Sequence, residues 1–175
     1  MGSKLIWLIS SFILLLSYLL LFPSPQTALL FYKENTNSLV AYLPVESGSR
    51  FQITFTHSIH LTDVVEKYSV TDDLEIQQDE IVYEQFGVGM PSNAEEDETF
   101  VYEDGKYAVK DLNTVFSSMN IRNGKTVSEH RLAWQADGKE NQVKFNDYFE
   151  PGDWFTVKVD EISKWDRMKG VKMGG

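Results

Sequence analysis

The residues best suited to chemistry lie in Phe51–Val70, which reads FQITFTHSIHLTDVVEKYSV. Apolar and polar residues alternate from Phe51 to Ser58. As a strand, this run puts Phe51, Ile53, Phe55 and His57 on one face and Gln52, Thr54, Thr56 and Ser58 on the other. In the next run Val64, Glu66, Tyr68 and Val70 share a face. If both apolar faces look inward, His57 and Glu66 enter the same interior from consecutive, paired strands. A carboxylate buried without a partner is costly, so such a pair needs mutual hydrogen bonding or a ligand. Three readings follow: a His–Glu bond that only holds the hairpin, a polar binding site at the mouth of the core, or a hydrolase in which His57 is the base and Glu66 orients it.

Other chemistries are poorly served. His57 and His60 are three apart, and strand residues at that spacing point to opposite faces. Only a turn could swing His60 back toward His57, Asp63, Glu66 or the remaining histidine, His130. No metal site is assigned, and the acids Glu95–Glu98 lack the spacing of an EF-hand loop. Ser58 beside His57 is not a catalytic dyad, because neighbours in a strand diverge. Phe86-Gly87-Val88-Gly89-Met90-Pro91 contains a GxG, but no third glycine follows and no helix begins, so it is not a dinucleotide loop. Two glycines one apart, then a proline, instead read as a strand leaving its sheet through a bulge, with backbone free to approach a neighbour closely. With no nucleophile elbow, phosphate loop or HExxH helix, no catalytic residue and no cofactor are assigned.

The elements that must position these residues are strands. Ser38–Val45, Arg50–Ser58, Val64–Thr71, Leu74–Phe86, Thr99–Glu103, Tyr107–Lys110 and Thr114–Arg122 are rich in β-branched and aromatic residues. Asp104-Gly105, Asn123-Gly124 and Asp137-Gly138 read as tight hairpins, and Pro151-Gly152 as a type II turn before a last strand at Trp154–Val159. The fold class is therefore all-β, an antiparallel sandwich or barrel, with a core around Phe51, Ile53, Phe55, Phe116, Trp134, Phe145, Trp154 and Val157.

One N-terminal transmembrane helix is expected to precede it. Lys4 stands before Leu5–Phe22, eighteen residues without a charge, about 27 Å as a helix, close to the thickness of a bilayer core. The run is long for a cleaved signal peptide, and Pro23–Ala28 offers a poor cleavage site, so an uncleaved signal-anchor is expected. Lys4 should stay inside, leaving the rest of the chain outside the cytoplasm at the cell membrane. The expected organisation is an anchor at 1–22, a linker at 23–37, the β-rich domain at 38–162 and a basic tail at 163–175 read as a frayed terminus.

Charge and composition narrow the partners. Of 175 residues none is cysteine, which excludes disulfides, thiolate nucleophiles and cysteine-ligated zinc. Tyr68–Gly105 holds twelve acids and no Lys or Arg; with a chain total of −10, the remainder sums to +2. Such a surface does not bind nucleic acid, whose binders carry a basic footprint.

Phe55-Thr56-His57-Ser58, then Glu66, then Tyr83 and Phe86–Pro91 resemble the pattern of domain-of-unknown-function family 1850: roughly "HS", a downstream Glu, and an aromatic followed by "GxGxP". The likeness covers about Ser38 to Pro91, and beyond Asp104 only the β-rich character matches. It implies signature positions at His57, Ser58, Glu66, Gly87, Gly89 and Pro91. It also implies a genomic neighbourhood beside tripartite ATP-independent transporters of the TAXI type. The expected role is a membrane-anchored extracytoplasmic accessory or binding domain, touching a transporter permease or solute receptor; a small hydrolase and a purely structural module are the alternatives. The full chain is expected to sediment with membranes and to expose its C-terminal domain to external protease. Intact, soluble protein recovered from cytosol would contradict the anchor.

Overall fold

The computed structural model describes residues 2–21, 25–127 and 129–174. Phe22–Ser24, where the sequence reading ends the anchor and starts the linker, lie outside them. Helix α1 (Gly2–Leu21) leads the chain, and every side chain from Ile6 to Leu15 is exposed. Over the described residues alone, no helix is long and apolar enough to cross a membrane.

The strands then follow: β1 (Gln26–Lys33), β2 (Leu39–Pro44), β3 (Arg50–Thr56), β4 (Asp63–Val70), β5 (Ile76–Tyr83), β6 (Thr99–Glu103), β7 (Lys106–Phe116), β8 (Met119–Arg122), β9 (Arg131–Ala136), β10 (Lys139–Lys144) and β11 (Trp154–Ile162). A short helix, α2 (Lys164–Arg167), and a two-residue strand, β12 (Val171–Lys172), complete it. They build two sheets, one ordered β12-β2-β1-β11-β8 and the other β10-β9-β3-β4-β5-β7-β6. Every pairing is antiparallel except β12 with β2. The fold is thus all-β, as expected, with the two sheets facing each other across a shared core in the manner of a sandwich.

Local chemistry accounts for most of the reversals. Asp104-Gly105 (φ 51°, 79°) and Asp137-Gly138 (φ 53°, 71°) both enter the left-handed region that a type I′ hairpin demands. Gly152 has φ 97°, and the Asp153 amide donates to the Glu150 carbonyl (3.2 Å), closing the expected turn at Pro151-Gly152.

Asn123-Gly124 behaves differently from the expected hairpin. Asn123 is buried, and its Nδ2 donates to Asn146 Oδ1 (2.9 Å), the Phe149 carbonyl (3.2 Å) and the Glu150 carbonyl (3.2 Å). The side chain ties β8 to the segment before β11, which outweighs its turn propensity.

Both ends of the domain differ from the sequence reading. The supposed linker contains β1, the middle strand of the five-stranded sheet, with Ala28, Leu29, Leu30 and Phe31 all buried. It reads as a continuous apolar run because both of its faces are covered, so alternation gives no signal. The basic tail is not frayed. Ser163 caps α2 by accepting from the Asp166 amide (3.1 Å), Arg167 donates to Gln26 Oε1 (3.0 Å), and Met173 is buried with its amide on the Tyr42 carbonyl (2.9 Å).

Leu29, Phe31, Leu43, Phe155 and Val157 from one sheet meet Phe51, Ile53, Tyr68, Val70 and Leu132 from the other. Of the expected core, Phe51, Ile53, Phe145 and Val157 are buried, and Phe55, Phe116 and Trp134 pack partly buried. Trp154 is the exception. The phase of β11 sends Phe155, Val157 and Val159 inward, leaving Trp154 44% exposed under the Arg122 guanidinium, 5.9 Å from its ring.

Asn123→Ala removes one amide that serves three acceptors in a dry environment. It is expected to destabilise the domain by about 2–3 kcal/mol in denaturant unfolding, whereas Asn120→Ala at the exposed side of β8 should change stability by less than about 0.5 kcal/mol.

Candidate functional site

The phase read for β3 and β4 is correct: Phe51 and Ile53 on one strand, and Val64, Tyr68 and Val70 on the other, are buried on a common face, and His57 is buried just past the end of β3. The expected His57–Glu66 bond does not form. The ladder pairs Ile53 with Glu66 and Phe55 with Val64, and it ends at Thr56–Asp63. His57 therefore lies four residues beyond Glu66's partner, roughly 13 Å of strand rise. The two signature side chains occupy separate environments.

Glu66 sits between Ile53 and Ile81 on the neighbouring strands and accepts a hydrogen bond from Tyr68 Oη (2.9 Å). Burial pushes its carboxyl above the usual carboxylate range, against the lowering effect of that bond. Burial and the facing carboxylate together raise the Tyr68 phenol well above its ordinary value. Tyr68 thus partners Oε2 of this half-buried carboxylate, and among the described residues no buried polar side-chain atom lacks a partner.

His57 leaves the end of β3 in a tight turn. Its amide donates to the Thr62 carbonyl (2.8 Å), and its carbonyl accepts from the Leu61 amide (2.9 Å). The ring Nδ1 faces the amides of Ile59 (3.3 Å) and His60 (3.4 Å), both of which can only donate. The proton is accordingly assigned to Nε2, which points at the Val88 carbonyl 3.4 Å away. With Nδ1 turned to its own loop and Glu66 distant, the pair expected for a general base is not assembled. Ser58 is exposed in the turn.

The turn also resolves the His57–His60 spacing. The two rings stack, with centroids 5.0 Å apart. Stacking does not aim two nitrogens at one point, and among the described residues no group of three His, Cys, Asp or Glu is placed to hold a metal ion. Asp63 is engaged by Arg131 (2.6 Å) and Thr56 (3.0 Å). His130 lies between Phe55 and Phe145, and burial lowers it to about 4. Its Nδ1 accepts from the Gly124 amide (3.3 Å), which holds it neutral as a core residue.

The second motif docks against the first. A Cβ on Gly87 would stand 2.7 Å from His60 Nε2 and 3.3 Å from His57 Cε1, so a larger residue there would push the His60 ring aside. The Met90 amide donates to the Gly87 carbonyl (3.0 Å), closing a turn whose third residue, Gly89, has φ 87°. Tyr83 Oη hydrogen-bonds the Pro91 carbonyl, and Met90 and Ala94 pack on Val64, Ile81, Tyr83 and Val109. His57, Gly87, Gly89 and Pro91 thus belong to one interlock, while Ser58 faces solvent and Glu66 lies elsewhere. The expected close backbone approach occurs, with His60 and His57 as the objects approached, but not the expected bulge: β5 ends at Tyr83 and its register shift lies at Gln78–Glu80.

Sequence reasoning missed the apolar side chains these loops leave in solvent: Ile59 (65% exposed), Leu61 (65%), Val88 (84%) and Phe86 (44%). The available signal was Ile59 and Leu61 continuing an apolar alternation past the last residue that β4 can pair.

Glu66→Gln keeps an acceptor for Tyr68 and removes the buried charge. The folded-state pKa of Glu66 is raised, so wild type keeps its full stability below the unfolded carboxyl pKa and loses some as pH rises toward the folded value. The variant should therefore match wild type near pH 4 and exceed it at pH 7 by roughly 1 kcal/mol, measured by thermal melts across that range.

A family model described as "Domain of unknown function (DUF1850)" matches residues 51–142, just over half of the chain. The match starts later than the Ser38 suggested by the motifs and runs well past Asp104, to the middle of β10. No curated protein and no solved structure matches the chain. The match takes in the interlocked turns and nearly all of the seven-stranded sheet, and by it this protein belongs to the DUF1850 family.

Proposed function

We propose that this protein is a membrane-anchored, extracytoplasmic docking domain. Its partner is a membrane component of a solute transporter, a permease or a solute receptor, contacted through the His57–Leu61 and Phe86–Pro91 turns. The observation that carries the reading is four large apolar side chains, Ile59, Leu61, Phe86 and Val88, exposed on two turns that are locked to each other. Side chains of this kind on a preorganised support gain free energy by leaving water and lose little entropy on binding. The flanking chain from Tyr68 to Gly105 has no Lys or Arg, so the complementary surface is apolar with a basic rim.

The anchor is part of the same proposal. Ten consecutive exposed side chains of α1, eight of them large and apolar, are unfavourable in water and favourable in lipid, and Lys4 orients the helix with the domain outside. The transporter assignment rests on the genomic association that the family resemblance implies.

The test is cross-linked capture from membranes with the full chain. Wild type should recover a permease or solute receptor; Val88→Asp and Ile59→Asp, both at exposed positions, should reduce recovery at least tenfold with unchanged melting temperatures. Undiminished recovery with both variants, or capture of no transporter component by wild type, would overturn the proposal.

A further inference from the structure

The basic C-terminal segment is a fixed surface beside the start of the domain. β11 ends with Ile162 paired to Gln26, the first residue of β1. Arg167 donates to Gln26 Oε1 (3.0 Å), which holds α2 at that same end. Gln26 stands five residues beyond Leu21, the last residue of α1, a length of chain that reaches at most about 18 Å. With α1 in a bilayer, α2 is therefore within reach of its surface. The chain beyond α2 is held too: a Cβ on Gly170 would stand 2.9 Å from Leu39 Cδ2, and the Met173 amide donates to the Tyr42 carbonyl (2.9 Å).

What the segment exposes suits a membrane interface. Trp165 is 67% exposed and Met168 69%, and at three residues apart in a helical turn they are neighbours, with Lys169 one residue further on. Tryptophan is favoured at the level of lipid headgroups, where its ring meets acyl chains and its N–H meets water. The side chains of Ser163–Gly175 sum to +3 in a chain whose total is −10. Lys169 is 70% exposed beside its partner Asp166 (2.7 Å), and Lys164 has no ion partner among the described residues. Basic side chains next to a membrane-spanning segment are drawn to anionic headgroups. The twelve acids of Tyr68–Gly105 are repelled by the same headgroups, so the asymmetry of charge turns the α2 end toward the bilayer.

We infer that α2 is a second membrane contact, seated on the anionic lipid headgroups of the bilayer that α1 enters, through Trp165, Met168, Lys164 and Lys169. The contact is separate from the docking turns and takes from the anchored reading only its membrane. The test reconstitutes the full chain in vesicles of phosphatidylcholine, with and without phosphatidylglycerol, whose acyl chains are brominated near the headgroup to quench tryptophan on contact. Comparing wild type with Trp165→Phe isolates the signal of Trp165, and comparing it with Trp7→Phe isolates that of α1. Trp165 should be quenched at least twofold more with phosphatidylglycerol present than without it. Lys164→Gln with Lys169→Gln should abolish that difference at unchanged melting temperature. Trp165 left unquenched beside a quenched Trp7 overturns the inference alone and leaves this face to a protein partner. Equal quenching in the two lipids, or a double variant that behaves as wild type does, overturns it as well. An unquenched Trp7 instead counts against the anchor, whatever Trp165 shows.

Discussion

The structure depends on covering the inner face of one broad sheet. Five of the seven strands present Phe51, Ile53, Leu132, Tyr68, Val70, Ile81, Tyr83 and Val109, all buried, to one side. Two covers share the task. The five-stranded sheet packs Leu29, Phe31, Leu43, Phe155 and Val157 over one part, and the segment after β5 folds Met90 and Ala94 over another. Glu66 stands at the seam, with Tyr68 and Val70 in the first cluster and Val64 in the second. That position explains how a carboxylate is accommodated on an apolar face: one hydroxyl partner satisfies it, at the expense of a raised pKa.

This arrangement changes what the family boundary means physically. Residues 51–142 contain almost all of the seven-stranded sheet but only β8 of the sheet that faces it. The remaining facing strands come from before and after the match, with β1 and β11 pairing along their lengths from Gln26–Ile162 to Lys33–Phe155. A segment cut to the matched residues would leave Phe51, Ile53 and Leu132 in water. The folding unit is therefore larger than the segment the family model recognises.

The second cover also joins fold to site. The turn at Phe86–Pro91 folds back because Tyr83 holds Pro91 and because Gly87 clears the His57–His60 stack. The same locking leaves Val88 and Phe86 facing outward beside Ile59 and Leu61. In this reading the signature residues are supports. The surface they present is made by Ile59, Leu61, Phe86 and Val88, which are not themselves among the signature positions.

What the sequence by itself determined is local. Alternation placed β3 and β4 in the right phase, and Asp104-Gly105, Asp137-Gly138 and Pro151-Gly152 named turns whose backbone angles few other residues adopt. His57, Gly87 and Pro91 stand out in the sequence because a His at a strand end and a GxGxP run are chemically conspicuous, and the structure places all three in the interlocked turns. Partnership was decided only by tertiary structure. Whether Glu66 meets His57 depends on where the β3–β4 ladder ends, whereas Tyr68 is its i+2 neighbour on β4 whatever the register. Whether Asn123 turns a corner or holds three acceptors depends on segments more than twenty residues away. β1 looked like a linker because a strand covered on both faces has no alternation to display, and the irregular registers of β5 with β4 and with β7 exist only in the pairing.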